Sequence, residues 1–413
     1  MGSVRVVENL PLASMTTLRL GGPARRVIAP DREHELIDAV REIDAAGGRL
    51  LVVGGGSNLV VGDEGFDGTV LRMTTRGTEA ESTHTRADGT RVQHLTVAAG
   101  EPWDDLVAHC VAEGLTGVEC LAGIPGLVGA VPMQNVGAYG QDVSETIVRV
   151  RTWDRASGQI TELDHAACRF SYRNSVFRGR DDRVILSVTF ALAESAESAP
   201  IRYAELARAL GVREGERAPL ARVRDTVIAL RRGKGMVLDA NDADTTSAGS
   251  FFTNPILDAA ELARLRERVS SVLGAEAALP VFPEADGRAK VSAAWLIERA
   301  GFPKGHAMGP VAISSKHALA LTNRGGATTS DLIALARAIQ GGVKAKFGVT
   351  LENEPVFVGV TLYGLSLVFR LSEREHGHGH GHGREAARLS VAPASSFCGE
   401  RKGANRQIGD VPA

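Results

Sequence analysis

The sequence predicts a multidomain fold that mixes helices with strands, and three observations carry that reading. The chain has 413 residues, which suggests roughly two or three domains. Helical and strand-like hydrophobic periods alternate along it. Its 47 glycines are clustered, notably just after a strand-like run and in one long uncharged stretch.

Composition narrows the function classes. Hydrophobic residues make up 44% and charged residues 23%, with 47 basic against 49 acidic side chains. Near-neutral charge without a basic block argues against a dedicated nucleic-acid binder. The four cysteines, Cys110, Cys120, Cys168 and Cys398, are scattered with no C-x-x-C spacing, so a zinc ribbon, a thioredoxin-type pair and a disulfide scaffold are all disfavoured. No apolar run approaches the ~20 residues of a membrane span, and no signal-peptide pattern opens the chain. These observations leave a soluble enzyme of a reducing compartment, with neither membrane nor nucleic-acid partners; a cytoplasmic location and a monomer are expected besides.

The elements follow in order. Arg32 to Ala46 reads as a helix with Leu36, Ile37, Val40 and Ile43 on one face and Asp31 as N-cap. Gly47-Gly48 ends it, and Leu50–Val53 reads as a buried strand running into Gly54-Gly55-Gly56-Ser57-Asn58, then Leu59–Val61. The first region is therefore β-α-β with a glycine turn at a strand's end. Val70–Met73 and Leu95–Ala99 read as strands, Trp103–Glu113 as an amphipathic helix, and Ile147–Trp153 and Val184–Leu192 as strands again. Helices are expected at Leu220–Arg232, Asp258–Leu273, Ser292–Ala300 and Asp331–Lys346, the last capped by Ser330. A strand pair over Leu351–Tyr363 closes the patterned part. From about Gly364 the pattern is lost, and the tail with its His376, His378, His380 and His382 repeat reads as disordered and an adventitious metal binder. No metal site is expected in the catalytic unit.

Several motifs carry chemistry, each against a plainer reading. Gly54–Asn58 sits where α/β sheets bind ligands, and its glycines could form an anion-binding nest. It is neither G-x-G-x-x-G nor a Walker A loop, and alone it is as well read as an ordinary turn. Residues 123–140 hold five glycines and two prolines but no charge, a poor solvated loop. That composition suits the wrapping of a flavin dinucleotide or, equally, a buried structural loop. Arg173, flanked by polar residues and by Phe170, Val176 and Phe177, could stabilise an oxyanion or enolate, or be a surface ion-pair partner. Ser250 stands beside Phe251 and Phe252 but not in a G-x-S-x-G elbow. In Leu351-Glu352-Asn353-Glu354-Pro355 the two acids read as sharing one face of a strand. His317, within an apolar pattern, reads as structural.

Taken in order, TLRLGGPA (17–24), GGGSNLVV, LAGIPGLVGAVPMQNVGAYGQ, CRFSYRNSVF, AGSFFTNP and LENEPVFVG closely resemble the UDP-N-acetylenolpyruvoylglucosamine reductase family over about residues 5–363. The resemblance implies an α+β fold: a bipartite FAD-binding unit of the vanillyl-alcohol-oxidase (PCMH) type plus a C-terminal α+β substrate-binding domain. It divides the chain into 1–78 (completed by strands near 355–363), 79–235, 236–354 and the tail 364–413. It implies FAD as cofactor, NADPH as reductant and UDP-N-acetylglucosamine enolpyruvate as the small-molecule substrate, reduced to UDP-N-acetylmuramate for peptidoglycan.

Residue by residue, the resemblance assigns FAD contacts to Gly54, Gly55, Gly56, Ser57, Asn58, Ile124, Gly126, Val128, Gly129, Asn135, Gly137 and Ile185. Arg173 matches the arginine that polarises the enolpyruvyl carboxylate, Ser250 the general acid, and Glu354 the catalytic glutamate. Tyr203, Arg231, Lys234 and Asn254 match substrate-holding positions, with the alignment loose around 231–239. Hydride delivery to the enolpyruvyl methylene would leave negative charge conjugated into the carboxylate, which Arg173 and a protonated Glu354 would stabilise and Ser250 would quench. Pro355 and Val356 are expected to raise the Glu354 pKa. The rivals are another FAD oxidoreductase of the same superfamily, acting on an alcohol or sugar lactone, and a non-catalytic nucleotide-binding protein.

Overall fold

A computed structural model describes residues 5–284 and 286–362; the expected tail and its histidines lie outside the described residues. The chain begins with β1 (Arg5–Pro11), β2 (Pro23–Ala29), α1 (Glu33–Ala45), β3 (Leu50–Val53), β4 (Leu59–Val61) and β5 (Phe66–Arg72). These build a four-stranded sheet in the order β1-β2-β5-β3, with β5 parallel to both β2 and β3. The expected β-α-β unit is thus present, with β5 inserted between its two strands. Leu36, Ile37, Val40 and Ile43 are the buried face of α1, as their helical spacing requires. Its N-cap is Arg32 with no side-chain bond, so Asp31 does not cap it.

The middle of the chain comprises β6 (Thr78–Thr85), β7 (Arg91–Ala98), α2 (Trp103–Ala112), β8 (Leu115–Thr116), β9 (Gly137–Ala138), β10 (Gln141–Asp142), β11 (Ile147–Asp154), β12 (Gln159–Asp164), α3 (His165–Cys168), β13 (Arg183–Glu194), α4 (Ala204–Leu210) and α5 (Leu220–Gly233). A six-stranded antiparallel sheet runs β12-β11-β13-β7-β6, with β8 also on β13. Trp103, Phe190 and Leu192 are fully buried in its core, which also takes in the apolar face of α1. Three contacts fasten α1 to β11 and the residue that follows it. Arg155 grips Asp44 at 2.6 Å, Arg151 meets Glu33 at 2.5 Å, and Arg41 lies over the Trp153 ring at 5.0 Å.

The last part comprises β14 (Ser247–Ser250), β15 (Ile256–Leu257), α6 (Ala259–Leu273), β16 (Val281–Pro283), β17 (Ala289–Val291), α7 (Ala293–Arg299), β18 (Ala307–Met308), β19 (Val311–Ile313), β20 (Ala320–Asn323), α8 (Thr329–Phe347) and β21 (Val356–Val358). A four-stranded sheet, β14-β20-β19-β18, is covered by α8, on which α6 and α7 pack. The cap of α8 is Thr328, in a capping box with Asp331, rather than the expected Ser330. The expected closing strand pair is a single short strand, β21, pairing in parallel with β4 some 300 residues earlier; Tyr363 lies outside the described residues.

This return of the chain, with bonds from Leu18 and Asp63 to residues 323–330, ties the early strands to the last part of the described chain. Asp63 accepts the N–H groups of Thr329 and Ser330 at 2.7 and 2.9 Å and the Ser330 hydroxyl at 2.6 Å. The Asn323 amide donates to the Leu18 carbonyl at 3.1 Å. No helix among the described residues is long and apolar enough to cross a membrane.

Candidate active site

The glycine loop emerges from the C-terminal end of β3 and meets residues 123–140 directly. Gly54 packs on Leu127, and a Cβ on Gly55 would stand 2.8 Å from the Gly126 Cα. The Ser57 hydroxyl donates to the Pro125 carbonyl at 2.9 Å. Gly56 has φ +62°, and a Cβ there would lie 1.8 Å from the Met15 carbonyl oxygen. Only glycine fits that approach.

The N–H groups of Gly55, Gly56 and Ser57 donate to no acceptor among the described residues. A cavity of about 190 Å³ opens beside them, lined by Ser14 to Thr17, Gly54, Gly55 and Arg72. In the second loop the Gln134 Oε1 is buried without a partner. Uncommitted backbone donors, an unpaired buried acceptor and an uncharged second loop fit a dinucleotide with a pyrophosphate. Not every glycine there faces such a ligand. Val128 and Gly129 give their N–H groups to Glu101 and Ala99, and a Gly129 Cβ would collide with Ala99 at 2.6 Å. Ile185 sits on β13, paired with Thr152 and buried, and Ile124 is half-buried against the same core.

Thr17 ties this cradle to the next group of residues. Its N–H donates to the Gly56 carbonyl at 3.1 Å and its hydroxyl to the Ser247 carbonyl at 2.6 Å. Ser247 begins β14, whose pairing with β20 is irregular between Ser247 and Ser250, and Gly249 there has φ +73°. Such a bulge re-aims the side chain that follows it. Ser250 Oγ comes 3.4 Å from His317 Nε2. His317, read from the sequence as structural, therefore lies within reach of the Ser250 hydroxyl. Burial, reinforced by Lys234, Lys304 and Arg231, lowers its pKa to about 4, so the ring is neutral at pH 7.

Arg173 lies at the tip of a tight turn closed by reciprocal Ser171–Asn174 bonds of 3.0 and 3.1 Å, with φ +51°. Its guanidinium donates to the Gly137 carbonyl at 2.5 Å and stands 3.6 Å from Asp142 and 3.4 Å from Glu354. Gly137 leaves room for this approach: a Cβ there would fall 2.8 Å from Arg173 Nη1 and 1.7 Å from Asp142 Oδ1, so those side-chain ends would have to move. Asn135 contributes its own carbonyl to Arg173 at 3.4 Å and its side chain to the Ser171 carbonyl at 3.1 Å. These two residues serve Arg173 as well as any cofactor.

Glu354 is set beside Ser250 by backbone. Its N–H donates to the Phe251 carbonyl at 2.9 Å, and Phe252 bridges to Asn353. Desolvation raises the Glu354 pKa above the usual carboxylate value, against the opposing pull of Arg173 and Arg178. The direction is the one expected from its apolar surroundings; of the two neighbours, Pro355 is buried and Val356 is 40% exposed. The two acids do not share a strand face: the segment is irregular and Glu352 is exposed.

The residues matched above to substrate-holding positions lie near Tyr139, Tyr203 and Tyr172. Lys234 bonds Glu205 at 2.5 Å and lies over the Tyr139 ring at 5.4 Å; Tyr139 packs edge-on against Tyr203, which is 43% exposed. Arg231 holds the Met236 carbonyl at 2.9 Å, while its buried Nε has no partner. Asn254 Nδ2 reaches the Tyr172 hydroxyl at 3.5 Å, and its Oδ1 accepts the Ala293 N–H at 2.9 Å. Tyr172 lies between Arg173 at 5.2 Å and Lys290 at 4.8 Å. Tyr139, Asp142, Lys290 and His317 were not legible as members of this group, since each is brought in by a turn or hairpin with no local signature. Among the described residues no cluster of three potential metal ligands occurs.

A glycine cradle joined to an Arg–Glu–Ser group fits a protein of the FAD-binding class, and the sequence profiles place it there. The profile of an FAD binding domain matches residues 24–164, and that of the UDP-N-acetylenolpyruvoylglucosamine reductase C-terminal domain matches residues 241–358. The UDP-N-acetylenolpyruvoylglucosamine reductase of Thermobifida fusca is 59% identical over 86% of this chain and 98% of its own. That of Streptomyces coelicolor is 58% identical over 87% and 92%. A crystal structure of the enzyme from Thermus caldophilus superposes with a TM-score of 0.56 at 24% identity, covering 86% of this chain and 99% of the other. The chain belongs to the UDP-N-acetylenolpyruvoylglucosamine reductase family.

Proposed function

We propose that this chain reduces UDP-N-acetylglucosamine enolpyruvate to UDP-N-acetylmuramate, with FAD as cofactor and NADPH as reductant, in the cytoplasmic supply of peptidoglycan precursors. The observation that carries the reading is the Arg173–Glu354 pair at 3.4 Å, bonded through backbone to the residue after Ser250. A cation, a carboxyl with raised pKa and a hydroxyl beside a neutral histidine suit stabilisation and protonation of an enolate.

FAD would be held by the backbone of Gly54–Asn58 and residues 124–137, and when bound it supplies the hydride. The protein's own residues do the rest. Arg173 binds the substrate carboxylate, on which negative charge develops. Glu354, protonated, donates a second hydrogen bond to it instead of repelling it. Ser250 gives its hydroxyl proton to the carbon bearing the carboxylate, and His317 orients that hydroxyl. Tyr203, Arg231, Lys234 and Asn254 hold the diphosphate and neighbouring groups. In this reading residues 1–78 with 355–363 and residues 79–235 form the two halves of the cofactor unit, 236–354 bind substrate, and the enzyme works as a monomer.

The deciding experiment is NADPH oxidation that depends on UDP-N-acetylglucosamine enolpyruvate, with a yellow purified protein as its precondition. Colourless protein that takes up no FAD, or NADPH oxidation indifferent to that substrate, overturns the reading.

A further inference from the structure

We propose that Arg178 is a positioning residue that holds Arg173 and Glu354 in register. Its Nη1 donates to the carbonyl of Arg173 at 3.0 Å, and its Nη2 reaches the carbonyl of Asn353, the neighbour of Glu354, at 3.4 Å. One planar fork therefore joins a carbonyl five residues before Arg178 to another 175 residues after it. The guanidinium is spent on backbone rather than aimed at substrate. Its charge also opposes the desolvation of the Glu354 carboxylate.

The need for such a brace follows from local geometry. Arg173 has φ +51°, a left-handed conformation that costs a non-glycine residue energy and persists only where its surroundings enforce it. The Ser171–Asn174 bonds close the turn from within, but they do not fix it relative to the Glu354 segment. That segment is itself irregular, between the Phe252–Asn353 bridge and β21. Arg173 and Glu354 meet at 3.4 Å, a spacing that neither segment can set alone. A lysine could not replace the fork, because one ammonium lacks its rigid pair of donor directions.

The inference rests on the proposed reduction of the enolpyruvyl group, so the test separates the two. In stopped flow, flavin in the wild-type enzyme is reduced by NADPH and then reoxidised by UDP-N-acetylglucosamine enolpyruvate. If wild-type flavin is reduced but this substrate does not reoxidise it, the proposed reaction falls and the assignment of Arg178 with it.

Given wild-type turnover, Arg178→Met should slow reoxidation about tenfold to a hundredfold while flavin reduction changes by less than about twofold, as expected when reacting groups are misplaced by a fraction of an ångström. Guanidinium chloride in the millimolar range should restore part of the lost rate. Arg178→Lys should fall between the two and decides the matter if the methionine variant is unstable. Wild-type reoxidation in the folded variant, or equal loss in both half-reactions without guanidinium rescue, overturns the assignment.

Discussion

In the proposed reaction Glu354 would serve a step that generates negative charge. Desolvation outweighs two nearby arginines, so its pKa lies above the ordinary value. The folded protein therefore binds the proton where the unfolded chain has released it, and stability from this group falls as pH rises through the raised pKa. Glu354→Gln, which mimics the neutral acid, should melt at a higher temperature than wild type at neutral pH. The same variant should lose the alkaline decline of the reoxidation rate. An unchanged melting temperature and an unchanged pH profile would count against a protonated Glu354.

At Ser250 the expectation is different in kind: Ser250→Ala should keep NADPH-driven flavin reduction and lose reoxidation by the enolpyruvyl substrate. Near-normal reoxidation would remove Ser250 from the general-acid role. Arg173→Ala should lower the reoxidation rate by roughly 10²–10³, the scale for removing an oxyanion donor. Full turnover with only weaker substrate binding would contradict that role.

Elements matter here mainly through their ends. The left-handed Gly56 in the loop after β3 and Gly137 at the start of β9 each let another group come closer than a Cβ permits. The two should nonetheless fail differently. In Gly56→Ala the added Cβ meets main chain, the Met15 carbonyl, which cannot swing aside as a side chain can. Loss of flavin content and a lower melting temperature are expected. In Gly137→Ala the obstacles are the side chains of Asp142 and Arg173, which can move, so flavin should be retained while turnover falls. Flavin absorbance and activity measured on the same preparations distinguish the two, and matching losses in both variants would argue against separate roles.

The described part of the molecule is held by bonds that join distant parts of the chain. Asp63 caps the N-terminal end of α8 from 267 residues away at its farther partner, and its pKa is lowered by the Ser330 and Thr329 donors despite the opposing cost of burial. A depressed carboxylate contributes stability that is present above its unfolded pKa and is lost as pH falls through the folded one. Asp63→Ala should cost about 1 kcal/mol, the usual scale for a lost cap, and should flatten the acid side of the stability profile. A melting temperature that follows wild type down through the carboxylate range would show the cap to be inert. His317 works in the same pH direction by another route. Its pKa is depressed to about 4, so the unfolded chain binds more protons between that value and the ordinary one near 6.5. Stability is therefore lost as pH falls through that window.

Much of the fold was legible because hydrophobic period is local. The face of α1, the strand β3 and the helices α2, α5 and α6 could be read from apolar spacing to within a residue or two. Caps were less legible, since Arg32 and Thr328 take those positions by the direction in which the chain arrives. The closing strand pair was misread because β21 is stabilised by β4, a partner no local window contains. Arg173, Ser250 and Glu354 could be named from ordered motifs. Their company could not: His317 faces Ser250 only because β20 pairs with β14.

By itself the sequence determined the family, the order of elements and the three groups that suit enolate chemistry, because each is written in contiguous residues. Only the tertiary structure decided which glycines are free to face a ligand and which merely admit a neighbour. It alone also decided how deeply Glu354 is desolvated and that one arginine, Arg178, reaches both the Arg173 and the Asn353 carbonyls. Those properties depend on distances between segments that meet only after the chain has folded, and the energies that set them fall off within a few ångströms.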